Sequence, residues 1–251
     1  MASLNRSALQ SNAKVLFKAL SASKELAGFT LVGGNALALQ IKHRVTLNFE
    51  FAYFEAMLPL KQIDDFVIRL KSEAYVVHDL TDSNEVAQFK INTGENLRHY
   101  SRDYIINGVK VTFFVQGKTQ VQRDFYKKCN CIQTKDMQFK VLGLDGLKVS
   151  KILILADRVR SRDLYDLMVL IIDHCLTLEK INMFIRTLGH IDDPEHYRAV
   201  LTGIIPLDVN DEGLTPVNFN SDIKSIYQFF DETYEENDIK KACEVYSKGL
   251  V

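Results

Sequence analysis

Residues Phe29 to Phe54, FTLVGGNALALQIKHRVTLNFEFAYF, decide how the rest of the chain is read. Thr30, Leu31 and Val32 read as a buried strand, Gly33-Gly34 as a turn, Ala36 to Ile41 as a short helix, and Lys42, His43 and Arg44 as a basic corner. A second strand follows and carries Asn48 and Glu50. A strand, then glycines, then a helix brings backbone amides close to a phosphate, because glycine puts no side chain in the way and a helix start concentrates unpaired N–H groups. Side chains at i and i+2 of a strand share a face. Asn48 and Glu50 are therefore expected to point together, beside the phosphates, where metal ions would be held.

At 251 residues, with 47% hydrophobic and 25% charged residues and only four prolines, the composition is that of an ordinary globular protein. The length points to two domains. A net charge of −1 gives no global attraction to nucleic acid, so phosphate binding has to come from a local patch. No N-terminal segment has the build of an export signal, and no run approaches the ~20 apolar residues of a membrane span. The expected location is the cytoplasm, with no membrane partner. Cys129, Cys131, Cys175 and Cys243 lack the spacing of a four-ligand zinc site and read as structural thiols in a reducing compartment.

Outward from the central stretch, Ser7 to Ala27 reads as a helix stopped by Gly28, and Pro59 opens a helix with an apolar stripe of Leu60, Ile63, Phe66, Val67 and Leu70. From Tyr75 the period shifts to two through AYVVHDL, EVAQFKINT, HYSRDYII and VKVTFFV. The Asn107-Gly108 pair before the last run marks a hairpin. These runs predict a meander extending the sheet, followed by a strand at Phe139 to Leu142. Beyond Asp145 the pattern is helical: Gly146–Arg158, Arg162–Leu176, Leu178–Leu188 closed by Gly189, Pro194–Gly203, Asp222–Tyr234 and Glu236–Lys248. Ile205 to Phe219 is the one loop candidate of this half. Strands first and helices afterwards make the fold class α+β, divided as residues 1–145 and 146–251.

A second informative stretch is Asp145 to Asp166, DGLKVSKILILADRVRSRDLYD. On one continuous helix Lys148, Lys151 and Arg158 would line a single basic face, fit to offset the charge of a triphosphate. Asp163 and Asp166 sit in the first turn of the next helix, where the helix dipole alone favours carboxylates.

Together these stretches resemble a known family. GGNALAL followed by HRVTLNFEF is similar to the Gly-Gly-(Thr/Ser)-x-Ala-Leu … His-Arg-x-(Ser/Thr)-x-Asp-x-Asp pattern of the AbiEii/AbiGii-type nucleotidyltransferases, the toxin half of abortive-infection toxin–antitoxin systems. KILILADRVRSRDLYDL resembles that family's later Lys and Arg-Asp segment, in the same order along the chain. The resemblance implies a DNA polymerase β-like nucleotidyltransferase domain, a mixed β-sheet flanked by helices, followed by a C-terminal helical bundle. It also implies transfer of a nucleoside monophosphate from an NTP to a hydroxyl with Mg²⁺ or Mn²⁺, an RNA acceptor and an antitoxin partner.

Carried over residue by residue, the resemblance puts Gly33, Gly34 and Asn35 along the triphosphate with Arg44 beside them, and Asn48 and Glu50 at the metal positions. Lys151 falls near nucleotide phosphates with Arg158 on the same face, and Asp145 at the acidic position ahead of that lysine. The catalytic set is then Asn48, Glu50, Asp145 and Lys151. Where the family has Asp-x-Asp, however, this chain has Asn48-Phe49-Glu50, and the strand after Gly108 offers Thr112 where a third carboxylate is expected. Three readings follow: an active transferase, a nucleotide- or partner-binding chain that keeps the fold without the metal chemistry, and a scaffold whose glycine turn is only a turn.

Overall fold

The computed structural model describes residues 4–46, 48–214 and 222–248. The chain divides into two compact units, residues 1–147 and 148–251. The first is built from α1 (Ser11–Ala22), β1 (Thr30–Val32), α2 (Gly33–Ile41), β2 (Phe49–Tyr53), α3 (Leu60–Ser72), β3 (Val77–Asp79), α4 (Ser83–Thr93), β4 (Ser101–Ile106), β5 (Val109–Val115), α5 (Gln120–Lys128), β6 (Cys131–Ile132) and β7 (Lys140–Leu142). The boundary falls inside α6 (Leu144–Leu153). The second unit continues with α7 (Ser161–Asp173), α8 (Leu178–Leu188), α9 (Pro194–Leu201) and α10 (Ile223–Lys248). The architecture is α+β.

The seven strands form one mixed sheet in the order β3-β4-β5-β2-β1-β7-β6. β1 runs parallel to β7 and β2 parallel to β5, while the other neighbours are antiparallel. Strand alternation sorts the residues. Phe49, Phe51, Val111 and Phe113 are buried on one face. Phe17 of α1 stacks on Phe49, and Phe66 of α3 meets the Phe113 ring edge-on. Phe113 also touches Phe29, Phe51 and Tyr104, at centroid distances of 5.2–6.1 Å. The other face carries the row Glu50, Thr112, Asp103, which are register partners across β2, β5 and β4.

Several expectations hold in detail. Asn107 and Gly108 both take positive φ, 47° and 78°, and join β4 to β5 by a tight hairpin, as a type I′ turn requires. Pro59 precedes α3, whose Ile63, Phe66 and Leu70 are buried. α8 spans the predicted residues and is capped by Gly189.

Others are corrected. The EVAQFKINT run predicted as a strand is α4. The Asp82 side chain caps it by accepting from the Asn84 N–H, and Gly94 closes it in the left-handed region. The predicted 7–27 helix is three pieces, a 3-10 turn at Arg6–Ala8, α1, and a second 3-10 turn at Lys24–Leu26. The Ser21 and Ser23 hydroxyls donate back to Phe17 and Ala19 carbonyls at the break. The predicted Gly146–Arg158 helix stops at Leu153 and tightens into a 3-10 turn over Ile154–Ala156, so Arg158 is not on it. The two predicted C-terminal helices are one, α10. The predicted strand through Asn48 begins instead at Phe49, and Leu47 lies outside the described residues, as does the part of the Ile205–Phe219 loop beyond residue 214.

In the second unit, buried Leu164, Leu167 and Leu170 of α7, Ile181 and Ile185 of α8, Tyr197 and Val200 of α9, and Ile226 and Phe230 of α10 supply a helical core. No helix among the described residues is long and apolar enough to cross a membrane.

Candidate functional site

Gly33 and Gly34 form the first turn of α2, directly after the buried strand β1. Gly33 takes φ +68°, a backbone state that strains any other residue. A Cβ there would overlap Oε2 of Glu50, and a Cβ at Gly34 would come within 2.5 Å of Nη2 of Arg44. A carboxylate and a guanidinium thus press on adjacent glycines, and glycine is what lets both approach. Arg44 is buried despite its charge, and its Nη1 donates to the Val45 carbonyl at 3.5 Å.

Asn35 follows in the same turn, 1% exposed. Its Nδ2 donates to the backbone carbonyl of Asn48, tying the start of α2 to the start of β2, while its Oδ1 is buried without a hydrogen-bond partner. Thr46 Oγ1 is likewise buried and unpartnered. An unsatisfied buried polar group costs about 1–3 kcal/mol unless something completes it.

The donor set can be compared with the divalent cation that the sequence implies. Glu50 is a carboxylate on the polar sheet face, and Asn48, just before β2, offers only a neutral amide side chain. Thr112, the register partner of Glu50, contributes a hydroxyl. Asp103, next in the row, is held by Lys110 at 2.8 Å. Among the described residues no three His, Cys, Asp or Glu side chains converge as a metal-holding group. Mg²⁺ requires hard oxygen ligands in near-octahedral geometry. These residues do not fit a two-ion site built by the protein.

Asp145 stands exposed in the first turn of α6. The nearby thiols are poor nucleophiles: burial pushes Cys129 up to about 11, with Cys131 and Asp145 adding to the rise, and burial also raises Cys131.

In the second unit Lys151 is not part of a solvent-facing basic stripe. It is buried, with Nζ 2.6 Å from Asp163 Oδ1 and 2.8 Å from Asp166 Oδ2, and Arg158 Nε reaches the other Asp163 oxygen at 3.0 Å. Burial alone would raise the Asp163 carboxyl, but the charges of Lys151 and Arg158 outweigh it and hold the group below the ordinary carboxylate range. Asp163 and Asp166, read from sequence as dipole-favoured helix starters, are the counter-ions of the central lysine. Their i, i+3 spacing on α7 was the available signal.

Comparison with known proteins adds the following. No curated protein matches the chain. Among solved structures, JHP933 from Helicobacter pylori is similar at 14% identity and a TM-score of 0.48, with 99% of each chain covered. A second H. pylori structure, described as a candidate nucleotidyltransferase, has the same identity and TM-score over 91% of this chain and 95% of its own. The family model of the nucleotidyl transferase AbiEii toxin, of type IV toxin–antitoxin systems, matches residues 14–242, nearly the whole chain, and the protein belongs to that family.

Proposed function

We propose that the chain binds a nucleoside triphosphate at residues 33–50 and transfers its nucleoside monophosphate to an acceptor hydroxyl, with RNA as the acceptor and an antitoxin protein as the natural partner. The observation that carries this reading is the pair of glycines flanked by Glu50 on one side and Arg44 on the other. Phosphates settling on the first turn of α2 meet backbone N–H groups and the Arg44 guanidinium, which would neutralise them with a fixed fork of donors. Asn35, bridging α2 to the residue before β2, holds the two halves of the site together. A divalent cation would have to arrive on the nucleotide's own phosphates, with Glu50 as its one protein carboxylate.

A second reading, a nucleotide-binding chain without transfer, is favoured by the neutral Asn48 and by Thr112 at the third ligand position. One experiment separates the two. Each labelled NTP is incubated with total tRNA and Mg²⁺ or Mn²⁺, and calorimetry follows NTP binding with and without EDTA. Incorporation that disappears in Glu50→Ala supports transfer. Binding that needs Gly34 and ignores EDTA, without incorporation, supports the second reading. No NTP binding at all would sink both.

A further inference from the structure

The start of α7 is capped from an unusual source. The residue at its N-cap position is Arg160, whose side chain has no acceptor to offer the first-turn amides. The cap comes instead from fifty residues downstream, within the same unit. Asp211 Oδ1 accepts from the Ser161 N–H at 3.2 Å, Glu212 pairs with the Arg162 guanidinium, and the Asp208 N–H donates to the Val159 carbonyl at 2.8 Å. An acidic strap, residues 208–212, therefore lies along the segment Val159–Arg162, and two of its three carboxylates, Asp211 and Glu212, are spent there.

Two further groups at this helix start remain unsatisfied. Ser161 is 2% exposed and its Oγ has no hydrogen-bond partner, and Arg160 Nε is buried with none. Buried donors of this kind cost stability unless something completes them. The positive end of a thirteen-residue helix, a buried hydroxyl and the guanidinium groups of Arg160 and Arg162 make a setting for a tetrahedral anion, with three or four acceptor oxygens, that two carboxylates only partly fill.

We propose that the N-terminal turn of α7, with Arg160, Ser161 and Arg162, is a phosphate-binding subsite, and that the 208–212 strap competes for it through Asp211 and Glu212. The ligand is a phosphate group, carried either by a nucleotide or by the backbone of an RNA acceptor. Binding displaces the strap, because phosphate and carboxylates cannot share the same donors. The inference does not depend on the reading of residues 33–50, which belong to the other unit.

The test uses the full chain carrying Gly34→Ala, which removes binding at the glycine turn from the measurement. Tripolyphosphate and a short single-stranded oligoribonucleotide are titrated by calorimetry into this background and into the same chain with Asp211→Asn and Glu212→Gln. Removing the strap carboxylates should tighten binding about tenfold, the scale of a charge-assisted contact, and adding Arg160→Gln should reverse the gain. Tripolyphosphate binding without oligoribonucleotide binding assigns the phosphate to a nucleotide, and the opposite assigns it to RNA. Unchanged or weaker binding on strap removal overturns the proposal, as does indifference to Arg160→Gln. If the double substitution unfolds the chain, Glu212→Gln alone serves. That side chain is 64% exposed, and the same direction of change is expected.

Discussion

Lys151→Met is the perturbation whose outcome follows most directly from the geometry. The lysine amine is the shared partner of two carboxylates whose side chains are 3% and 0% exposed, at 2.6 and 2.8 Å. Methionine keeps the volume and removes the charge, leaving Asp163 with Arg158 and Asp166 without its lysine. Breaking a buried ion pair from one side costs about 3–5 kcal/mol, because the charge left behind has lost its compensation. For a unit of this size that corresponds to a fall in Tm on the order of 10 °C or more. Urea unfolding followed by far-UV circular dichroism measures it.

The pH dependence has a definite sign. The Asp163 carboxyl is depressed in the folded chain, so its contribution is complete above its unfolded pKa of ~3.9 and is lost as pH falls through the lower folded value. The difference between wild type and Lys151→Met should therefore be full at neutral pH and shrink on acidification below that range. A loss under about 1 kcal/mol at pH 7 would refute the view that Lys151 serves as the buried counter-ion. Unchanged stability with weakened NTP binding would restore it to the nucleotide.

Three other outcomes are expected. Gly33→Ala forces φ +68° on an L-residue and pushes the Glu50 carboxylate aside, so stability should fall by about 1 kcal/mol, read by urea unfolding, together with NTP affinity, read by calorimetry. Phe113→Ala removes a ring in contact with four others at the centre of the sheet, and should cost about 3–5 kcal/mol in the same unfolding assay. Asn48→Asp places a second carboxylate near Glu50 and should tighten Mn²⁺ binding in the presence of NTP, while an unchanged metal affinity would show that Asn48 is not a ligand position.

Local chemistry accounts for what the sequence discloses. Asn107-Gly108, Pro59 and Gly189 each restrict the backbone within a residue or two, and the structure has a turn, a helix start and a helix end at those places. Gly33-Gly34 belongs with them, because a strand running into paired glycines at a helix start is a local pattern. The failures come where two local readings compete or where the deciding partner is distant. In EVAQFKINT the residues Ala87, Phe89 and Ile91 satisfy an alternating spacing while Val86 and Phe89 satisfy a helical one, and the Asp82 cap breaks the tie. The acidic cluster around Glu235 and Glu236 resembles an interruption, yet the helix runs through it: Ile226, Phe230 and Tyr234 are buried before the cluster, and Asp238 beyond it pairs with Arg198 of α9 at 3.0 Å. Lys151 could not be separated from a solvent-facing lysine by its neighbours. Its partners lie twelve and fifteen residues on, and only folding brings them to it.

The helix α4 buries no residue, although it belongs to the connection between β3 and β4, two paired strands of the sheet. Its side of the fold is maintained by its own caps and by the tilted contact of Phe89 with Tyr100, and the aromatic core receives nothing from it. A segment that can open without exposing core exchanges its amide hydrogens through local excursions, far more often than the sheet does. Its sequence is correspondingly free to change, provided the caps survive. Here the protein can acquire new surface chemistry, or accept an inserted stretch, without disturbing its aromatic core.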